Sequence, residues 1–187
     1  GLPALAYAQD NGNGTFNDVS AEADHGEIRN RQIQSFHTDL QITSKGELVI
    51  TETIRFNVRE GDLGSGIARK LTTETESSEW GEVFHLEVEI LSVQLDGEST
   101  PYDLVAIDDY FEQALDLRVH SNEKELQSGP HTYTIKYRVD WALHFDDARD
   151  SLVWSLEQGG VEGKISERSM TVTLPEGARF SQHSAYH

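Results

Sequence analysis

The sequence predicts an all-β protein folded as a two-sheet β-sandwich. Eight or more short segments carry apolar residues at every second position, which is the pattern of strands with one buried face. Residues that favour turns separate these segments, and no segment has the 3.6-residue period of an amphipathic helix. An immunoglobulin-like Greek key is favoured over a jelly roll, although periodicity alone does not distinguish the two.

The first two strands are predicted to form a hairpin that begins after Arg31. The first strand places Phe36, Leu40 and Ile42 on one face. Residues 44–47 supply the turn, and the second strand places four apolar residues on one face: Leu48, Ile50, Ile54 and Phe56.

Residues 59–82 are rich in Gly, Thr, Ser and Glu, and they are predicted to be a long connection without a strand. The strand that follows changes phase, with Phe84, Leu86, Val88 and Ile90 on one face and Leu91, Val93 and Leu95 on the other. A β-bulge near Ile90 and Leu91 reconciles the two phases. Asp96 and Gly97 then form a turn.

The remaining strands follow from the same alternation. They contain Tyr102, Leu104 and Ala106; Leu115, Leu117 and Val119; Leu152, Trp154 and Leu156; and Met170, Val172 and Leu174. Between the first two of these strands, residues 108–113 are predicted to be a loop or a single helical turn. The longest run places aromatic and aliphatic residues at every odd position from Tyr133 to Phe145. At roughly 3.3 Å per residue it would span about 43 Å, so the strand is predicted to bend or change sheets near Trp141.

Composition excludes several classes of function. The formal net charge is −18, which opposes binding to nucleic acid and to anionic lipid surfaces. The chain has no cysteine, so disulfides, thiolate metal sites and a cysteine nucleophile are excluded. No apolar run reaches the roughly 18 to 20 residues of a transmembrane helix.

Five segments together resemble a known family in their order and spacing: GELVITETIRF (46–56), GIAR (66–69), GPHTYTIKY (129–137), VWS (153–155) and VTLP (172–175). They are similar to the N-terminal domain of the domain-of-unknown-function 2207 (DUF2207) family of predicted bacterial membrane proteins, over roughly residues 32–180. The resemblance implies a signal peptide, an extracytoplasmic domain and then membrane helices, without a known activity. The family pattern has an aromatic residue where Ala68 stands, so the loop it marks is not expected to be a fixed recognition surface.

Four regions are therefore predicted. Residues 1–8 end in Ala6-Tyr7-Ala8, a small-x-small pattern that precedes signal-peptidase cleavage, and they are interpreted as the remnant of a signal peptide. Residues 9–31 are predicted to be a mobile leader because their polar composition offers little to bury. Residues 32–180 form the sandwich domain, and residues 181–187 are a C-terminal tail or linker toward a membrane segment.

Glu52 breaks the pattern of its strand because it shares the face of Leu48 and Ile54, which is predicted to be buried. A buried carboxylate requires a partner. Arg69, in the segment that resembles the family pattern, is the predicted partner, since a guanidinium pairs with a carboxylate through two hydrogen bonds. A structural ion pair is favoured over a binding site for a charged ligand.

Metal and catalytic sites receive little support. Asp108, Asp109, Asp146, Asp147 and Asp150 are acidic enough for calcium, but their spacing matches no calcium loop and the question stays open. None of the eight histidines forms the helical pair of a zinc protease, and those on strands (His37, His85 and His144) are predicted to be exposed. No metal, no cofactor and no catalytic residue is predicted.

The predicted function is that of a non-catalytic extracytoplasmic interaction domain, whose parent protein is anchored in the cell membrane. Its partner would be another protein or another part of the same envelope protein. Two alternatives stay open. One is a domain that binds carbohydrate or cell wall through the aromatic residues Trp80, Tyr102, Tyr110 and Phe111, and the other is a hydrolase with a carboxylate pair.

Overall fold

The computed structural model describes residues 4–9, 32–59, 66–76, 83–108, 113–120, 126–145, 150–155 and 164–186. All regular structure in these residues is β-strand, and they contain no helix, so the all-β prediction is confirmed. In chain order the strands are β1 (Ala4–Gln9), β2 (Gln32–Ile42), β3 (Leu48–Val58), β4 (Gly66–Thr72), β5 (Glu74–Glu76), β6 (Val83–His85), β7 (Glu87–Leu95), β8 (Glu98–Ser99), β9 (Tyr102–Asp108), β10 (Gln113–His120), β11 (Gly129–Asp140), β12 (Leu143–Phe145), β13 (Asp150–Ser155), β14 (Lys164–Ile165), β15 (Arg168–Thr173) and β16 (Phe180–Tyr186).

The largest sheet has seven strands in the order β14-β2-β3-β11-β7-β8, with β15 also paired to β2. The predicted hairpin of β2 and β3 is confirmed, with Ile42 opposite Leu48. Gly46 has a φ of 85° in the turn, a conformation that favours glycine. Strands β14 and β15 pair with β2 in parallel, whereas β3, β11 and β7 pair with their neighbours in antiparallel fashion.

The β-bulge predicted in β7 is confirmed. Lys136 of β11 lies opposite Ser92, but the next residue, Tyr137, lies opposite Ile90. Leu91 is therefore the extra residue, and it moves the apolar positions of β7 from one phase to the other.

The change of sheet predicted near Trp141 is also confirmed. Strand β11 ends at Asp140, and Trp141 has a φ of 71°, which a bulky residue rarely adopts. The chain then enters β12, which pairs with β13 in a different, four-stranded sheet.

A three-stranded sheet has the order β4-β10-β9. Its first strand contradicts the prediction that residues 59–82 contain no strand, as does the short strand β5 that follows. The inward positions of β4 are Ile67, Arg69 and Leu71, and all three are buried. Because the middle position is Arg69, the only apolar residues at inward positions are Ile67 and Leu71, four positions apart. The alternation of apolar and polar residues that marks a strand is therefore absent from the sequence of β4.

The core lies between the three-stranded sheet and one face of the seven-stranded sheet. The buried residues of the smaller sheet, which are Ile67, Leu71, Leu117 and Val119, belong to the same apolar cluster as those of β2, β3, β7 and β11. Leu152 and Trp154 of β13 also belong to it. Burial of these side chains supplies the main stabilising free energy of the domain.

The four-stranded sheet, β12-β13-β1-β16, contains the two ends of the described chain. Strand β1 pairs in parallel with both β13 and β16, so residues 4–9 and 180–186 are strands where the sequence predicted a signal-peptide remnant and a tail. Neither sequence alternates, since β1 (ALAYAQ) has apolar residues at successive positions and β16 (FSQHSAY) has them only at its two ends, so period two predicts neither strand. Residues 10–31, which contain the predicted leader (9–31) except Gln9, lie outside the described residues, and the signal-peptide interpretation stays a prediction.

Candidate functional site

The structure brings Glu52 and Arg69 together in the core between the two sheets. Glu52 lies in the middle of β3 and Arg69 in the middle of β4. The Nε of Arg69 donates to Oε2 of Glu52 at 2.8 Å, and Nη2 donates to Oε1 at 2.7 Å. The two side chains therefore form a two-point ion pair that joins the sheets.

The remaining polar atoms of this cluster also have partners. Tyr137 of β11 donates its hydroxyl hydrogen to Oε1 of Glu52 at 2.7 Å, and Nη1 of Arg69 donates to the carbonyl oxygen of Lys70 at 2.6 Å. The guanidinium lies 5.6 Å from the ring centroid of Phe36, a cation–π contact. The charges are thus hydrogen-bonded as buried charges must be.

The electrostatics of the cluster favour a charged pair and a neutral phenol. Burial opposes the charge of Arg69, but attraction to Glu52 and the hydrogen bonds to it outweigh that cost, so the pKa of Arg69 is raised above its ordinary value. Burial, together with the negative charge of Glu52, raises the pKa of Tyr137 well above its ordinary value. Tyr137 therefore remains a hydrogen-bond donor to the carboxylate.

The side chains of Glu52 and Arg69 are only 2% and 3% exposed, and both carboxylate oxygens already accept hydrogen bonds. This geometry offers little surface to a ligand. Tyr137, the third member, was predicted only as an apolar core residue, because period two identifies the buried face but not which polar groups meet there.

Strand β9 differs from the rest of the smaller sheet because its apolar side chains are exposed. Tyr102, Leu104 and Val105 are 39%, 42% and 46% exposed. The strand lies at the end of the sheet and, in the part of the chain that the structure describes, pairs with β10 alone. An exposed apolar edge strand is a common site of protein association.

A second exposed apolar feature follows the bend at the end of β11. Trp141 is 69% exposed and Phe145 is 62% exposed, although the alternation predicts both on the buried face. The prediction is wrong for these two residues because the chain leaves the seven-stranded sheet at Trp141. Phe145 lies against Gly46, where an added Cβ would be 2.9 Å from its Cζ atom.

The structure tests the predicted aromatic and acidic residues only in part. Trp80, Tyr110 and Phe111 lie outside the described residues, as do Asp109, Asp146 and Asp147. Asp108 ends β9 and accepts a hydrogen bond from the side chain of Gln113, while Asp150 begins β13. Across the described ranges, no group of three or more His, Asp or Glu side chains is arranged to hold a metal ion.

Among the described residues, four histidines form pairs with carboxylates: His37 with Asp39, His85 with Glu74, His120 with Asp103 and His131 with Asp96. The predicted exposure is confirmed for His85 and His144, whereas His37 is part-buried. His131 was not singled out by the sequence, yet both its ring nitrogens face acceptors, the carboxylate of Asp96 at 2.7 Å and the carbonyl of Gln127 at 2.8 Å. Its ring also stacks on Phe56.

Comparison with known proteins gives one family match. A family model described as the N-terminal domain of a predicted membrane protein (DUF2207) matches residues 32–187. No curated protein matches the chain. No helix in the described ranges is long and apolar enough to cross a membrane.

The solved structures that align with the chain are distant. Yeast LTA4 hydrolase in complex with Bestatin aligns with a TM-score of 0.45 and 11% identity, over 72% of this chain and 20% of that one. The M1 zinc metallopeptidase from Deinococcus radiodurans aligns with a TM-score of 0.35 and 13% identity, over 60% and 21%. The chain spans about a fifth of the length of these enzymes, and similarity at this level carries no argument about its activity.

Proposed function

Because the chain belongs to the DUF2207 family of predicted membrane proteins, as its N-terminal domain, we propose that it is a non-catalytic, extracytoplasmic interaction domain of a membrane-anchored envelope protein. The observation that carries the proposal is strand β9, whose apolar side chains Tyr102, Leu104 and Val105 are exposed at the end of a sheet. Exposed apolar surface rimmed by polar residues is typical of protein interaction sites.

The buried cluster around Glu52 has a structural role in this proposal. Its carboxylate accepts three hydrogen bonds from Arg69 and Tyr137 in a position that solvent barely reaches. Ion pairs of this kind hold elements in a defined arrangement as readily as they serve binding sites. We propose that the two packed sheets that it joins form a sandwich of immunoglobulin-like Greek-key type.

The partner is another protein or another part of the same envelope protein. The net charge of −18 favours fast encounter with a basic surface, because opposite fields steer association. Placement outside the cytoplasm is part of this proposal, and the description of the family as predicted membrane proteins is consistent with a membrane-anchored parent.

The experiment is site-specific photocrosslinking in the full-length membrane protein, expressed in its own host. A photoreactive amino acid replaces Leu104 in one variant and Leu91 in the other, since these residues are similarly exposed, at 42% and 44%. The proposal predicts a discrete crosslinked product from position 104, intermolecular or within the chain, and none from position 91. Equal or absent crosslinking at both positions would overturn it.

A carbohydrate-binding or cell-wall-binding domain is the second candidate, and exposed Trp141 and Phe145 favour it. Aromatic side chains offer an apolar face against which a sugar ring can pack, and Trp141 is held in a backbone conformation that costs free energy. Co-sedimentation of the domain with purified cell-wall material tests it. Binding that Trp141→Ala abolishes and Leu91→Ala leaves unchanged would favour this candidate over the first.

A further inference from the structure

The hydrogen-bond pattern of β9 determines which of its backbone groups face away from the sheet. The backbone N–H of His120 donates to the carbonyl oxygen of Pro101 at 2.9 Å, so these two residues form a hydrogen-bonded pair at the end of the β9–β10 ladder. Such pairs alternate along an antiparallel ladder. Asp103, Val105 and Ile107 therefore bond to β10, while Tyr102, Leu104 and Ala106 direct their N–H and C=O groups to the opposite side.

That opposite side carries no pairing strand in the described part of the chain. Proteins usually protect such an edge with proline, lysine, a bulge or an inward charge. The centre of β9, from Leu104 to Ala106, contains none of these. The edge is therefore suited to β-strand addition, in which a partner segment continues the ladder.

The side chains of Tyr102, Leu104 and Ala106 form an apolar face that continues the core. Leu104 lies opposite Leu117 and Tyr102 lies opposite Val119, and residues opposite one another point to the same face. Leu117 and Val119 are buried, whereas Leu104 and Tyr102 are exposed. The apolar face that is buried at β10 thus continues onto β9, where it is exposed. An added strand with apolar residues on this face would shield Tyr102, Leu104 and Ala106 from solvent.

The other face of β9 and the charge of the whole chain indicate which residues the added strand should carry between its apolar ones. Asp103 lies on that face and has a 70% exposed side chain beside His120, whereas Asp108, opposite Gln113, lies on the face of Leu104. A second copy of this chain would bring another net charge of −18 to the edge. Basic residues on that face of the incoming strand would instead be attracted to Asp103.

Building on the proposed function, we propose that the free edge of β9 binds an extended segment of a partner protein by β-strand addition, and that this segment alternates apolar residues with Lys or Arg. Its backbone bonds to Tyr102, Leu104 and Ala106. Its apolar side chains cover the same three residues, and its basic side chains lie on the face of Asp103.

The test is titration of the isotopically labelled chain with two synthetic peptides, one of alternating Val and Lys and one of alternating Val and Glu, followed by nuclear magnetic resonance. The Lys peptide should shift the amide signals of Tyr102, Leu104 and Ala106 and bind at least about tenfold more tightly than the Glu peptide. The difference should shrink as salt is raised from about 50 to about 500 mM, because exposed charges are screened.

Two variants and one matched control make the test specific. Ala106→Pro removes a backbone N–H that points to the free edge, and it leaves every hydrogen bond between β9 and β10 in place. Leu104→Lys places a charge on the apolar face. Each should weaken binding of the Lys peptide by about tenfold or more, because Ala106→Pro loses a backbone hydrogen bond to the peptide and Leu104→Lys places a charge against its apolar side chains. Leu91→Lys, the same change at a similarly exposed leucine, should leave binding unchanged.

The contrary outcomes separate this inference from the proposed function. Equal binding of both peptides, still lost in Ala106→Pro, would overturn the basic partner while keeping strand addition. No shift at the β9 amides would overturn strand addition, and crosslinking at position 104 would still test the interaction domain. A dimer in sedimentation that Ala106→Pro dissociates would identify a second copy as the occupant and overturn the inference.

Discussion

Replacement of Glu52 by Ala tests the connection between the two sheets. The change leaves the guanidinium of Arg69, which is 3% exposed, without its anion, and leaves the Tyr137 hydroxyl without its acceptor. Removing one partner of a buried ion pair typically costs about 3 to 5 kcal/mol, because the other charge stays desolvated. We expect the free energy of unfolding to fall by that amount.

The measurement is urea-induced unfolding, followed by the fluorescence of tryptophans such as buried Trp154. With a slope of about 2 kcal/mol per molar urea, the expected loss lowers the midpoint by about 1.5 to 2.5 M. Glu89→Ala is the control, because its carboxylate also pairs with an arginine, Arg138, at 2.7 Å, but the Glu89 side chain is 58% exposed. An exposed pair of this kind contributes about 1 kcal/mol or less.

A double replacement, Glu52→Leu with Arg69→Met, separates the charge from the packing. Apolar residues of similar size often restore or exceed the stability of a buried ion pair, so we expect the double variant to recover part of the loss, and the remainder to come from the Tyr137 hydroxyl, which still lacks its acceptor. A decrease of less than about 0.5 kcal/mol for Glu52→Ala would refute the reasoning, because it would mean that the carboxylate is solvated and the register of β3 is wrong.

Three further predictions concern single positions. Tyr137→Phe should lower stability by about 1.5 to 3 kcal/mol at pH 9 through loss of a hydrogen bond to a carboxylate. Folding raises the pKa of Tyr137, so the stability that its hydroxyl contributes is complete below the unfolded pKa of about 10 and is lost as the pH rises above it. In chemical unfolding, the difference in free energy of unfolding between the original chain and Tyr137→Phe should therefore narrow by about 1.4 kcal/mol by pH 11. A difference that stays constant with pH would contradict Tyr137 as the donor. Gly46→Ala should lower the free energy of unfolding by about 1 to 2 kcal/mol, because φ is 85° and the new methyl group meets Phe145; an unchanged thermal midpoint would argue against that turn. Trp141→Gly should leave stability unchanged or raise it by up to about 1 kcal/mol, since relief of the positive φ offsets the flexibility of glycine; a marked loss in calorimetry would show that Trp141 is needed for folding.

Alternation was sufficient to predict the parts of the fold that depend on one strand at a time. It identified the hairpin of β2 and β3 and the bulge at Leu91, and the length of the alternating run indicated the departure of the chain near Trp141. It also marked Glu52 as a carboxylate on a buried face. Each of these features is local, because a strand shows its two faces in its own sequence.

The sequence did not show which other strands pack against each strand face and bury it. Strand β4 was missed because Arg69 occupies its central inward position, so the residue that pairs with Glu52 also hides its own strand. Trp141 and Phe145 were predicted in the core and are exposed, since alternation continues across a change of sheet. The exposure of β9 accompanies its place at the end of the three-stranded sheet, which no periodicity in β9 records.

The position of β2 inside the seven-stranded sheet affects when this domain can fold. Strand β2 lies between β3 and β15, and His37 and Ser169, which hydrogen-bond across the second of these pairs, are 132 residues apart in the chain. Most of the chain must be synthesised before that side of the sheet can form, and closing so long a loop slows folding. During synthesis the nascent chain therefore has β2 and β3 but not the strands that complete β2.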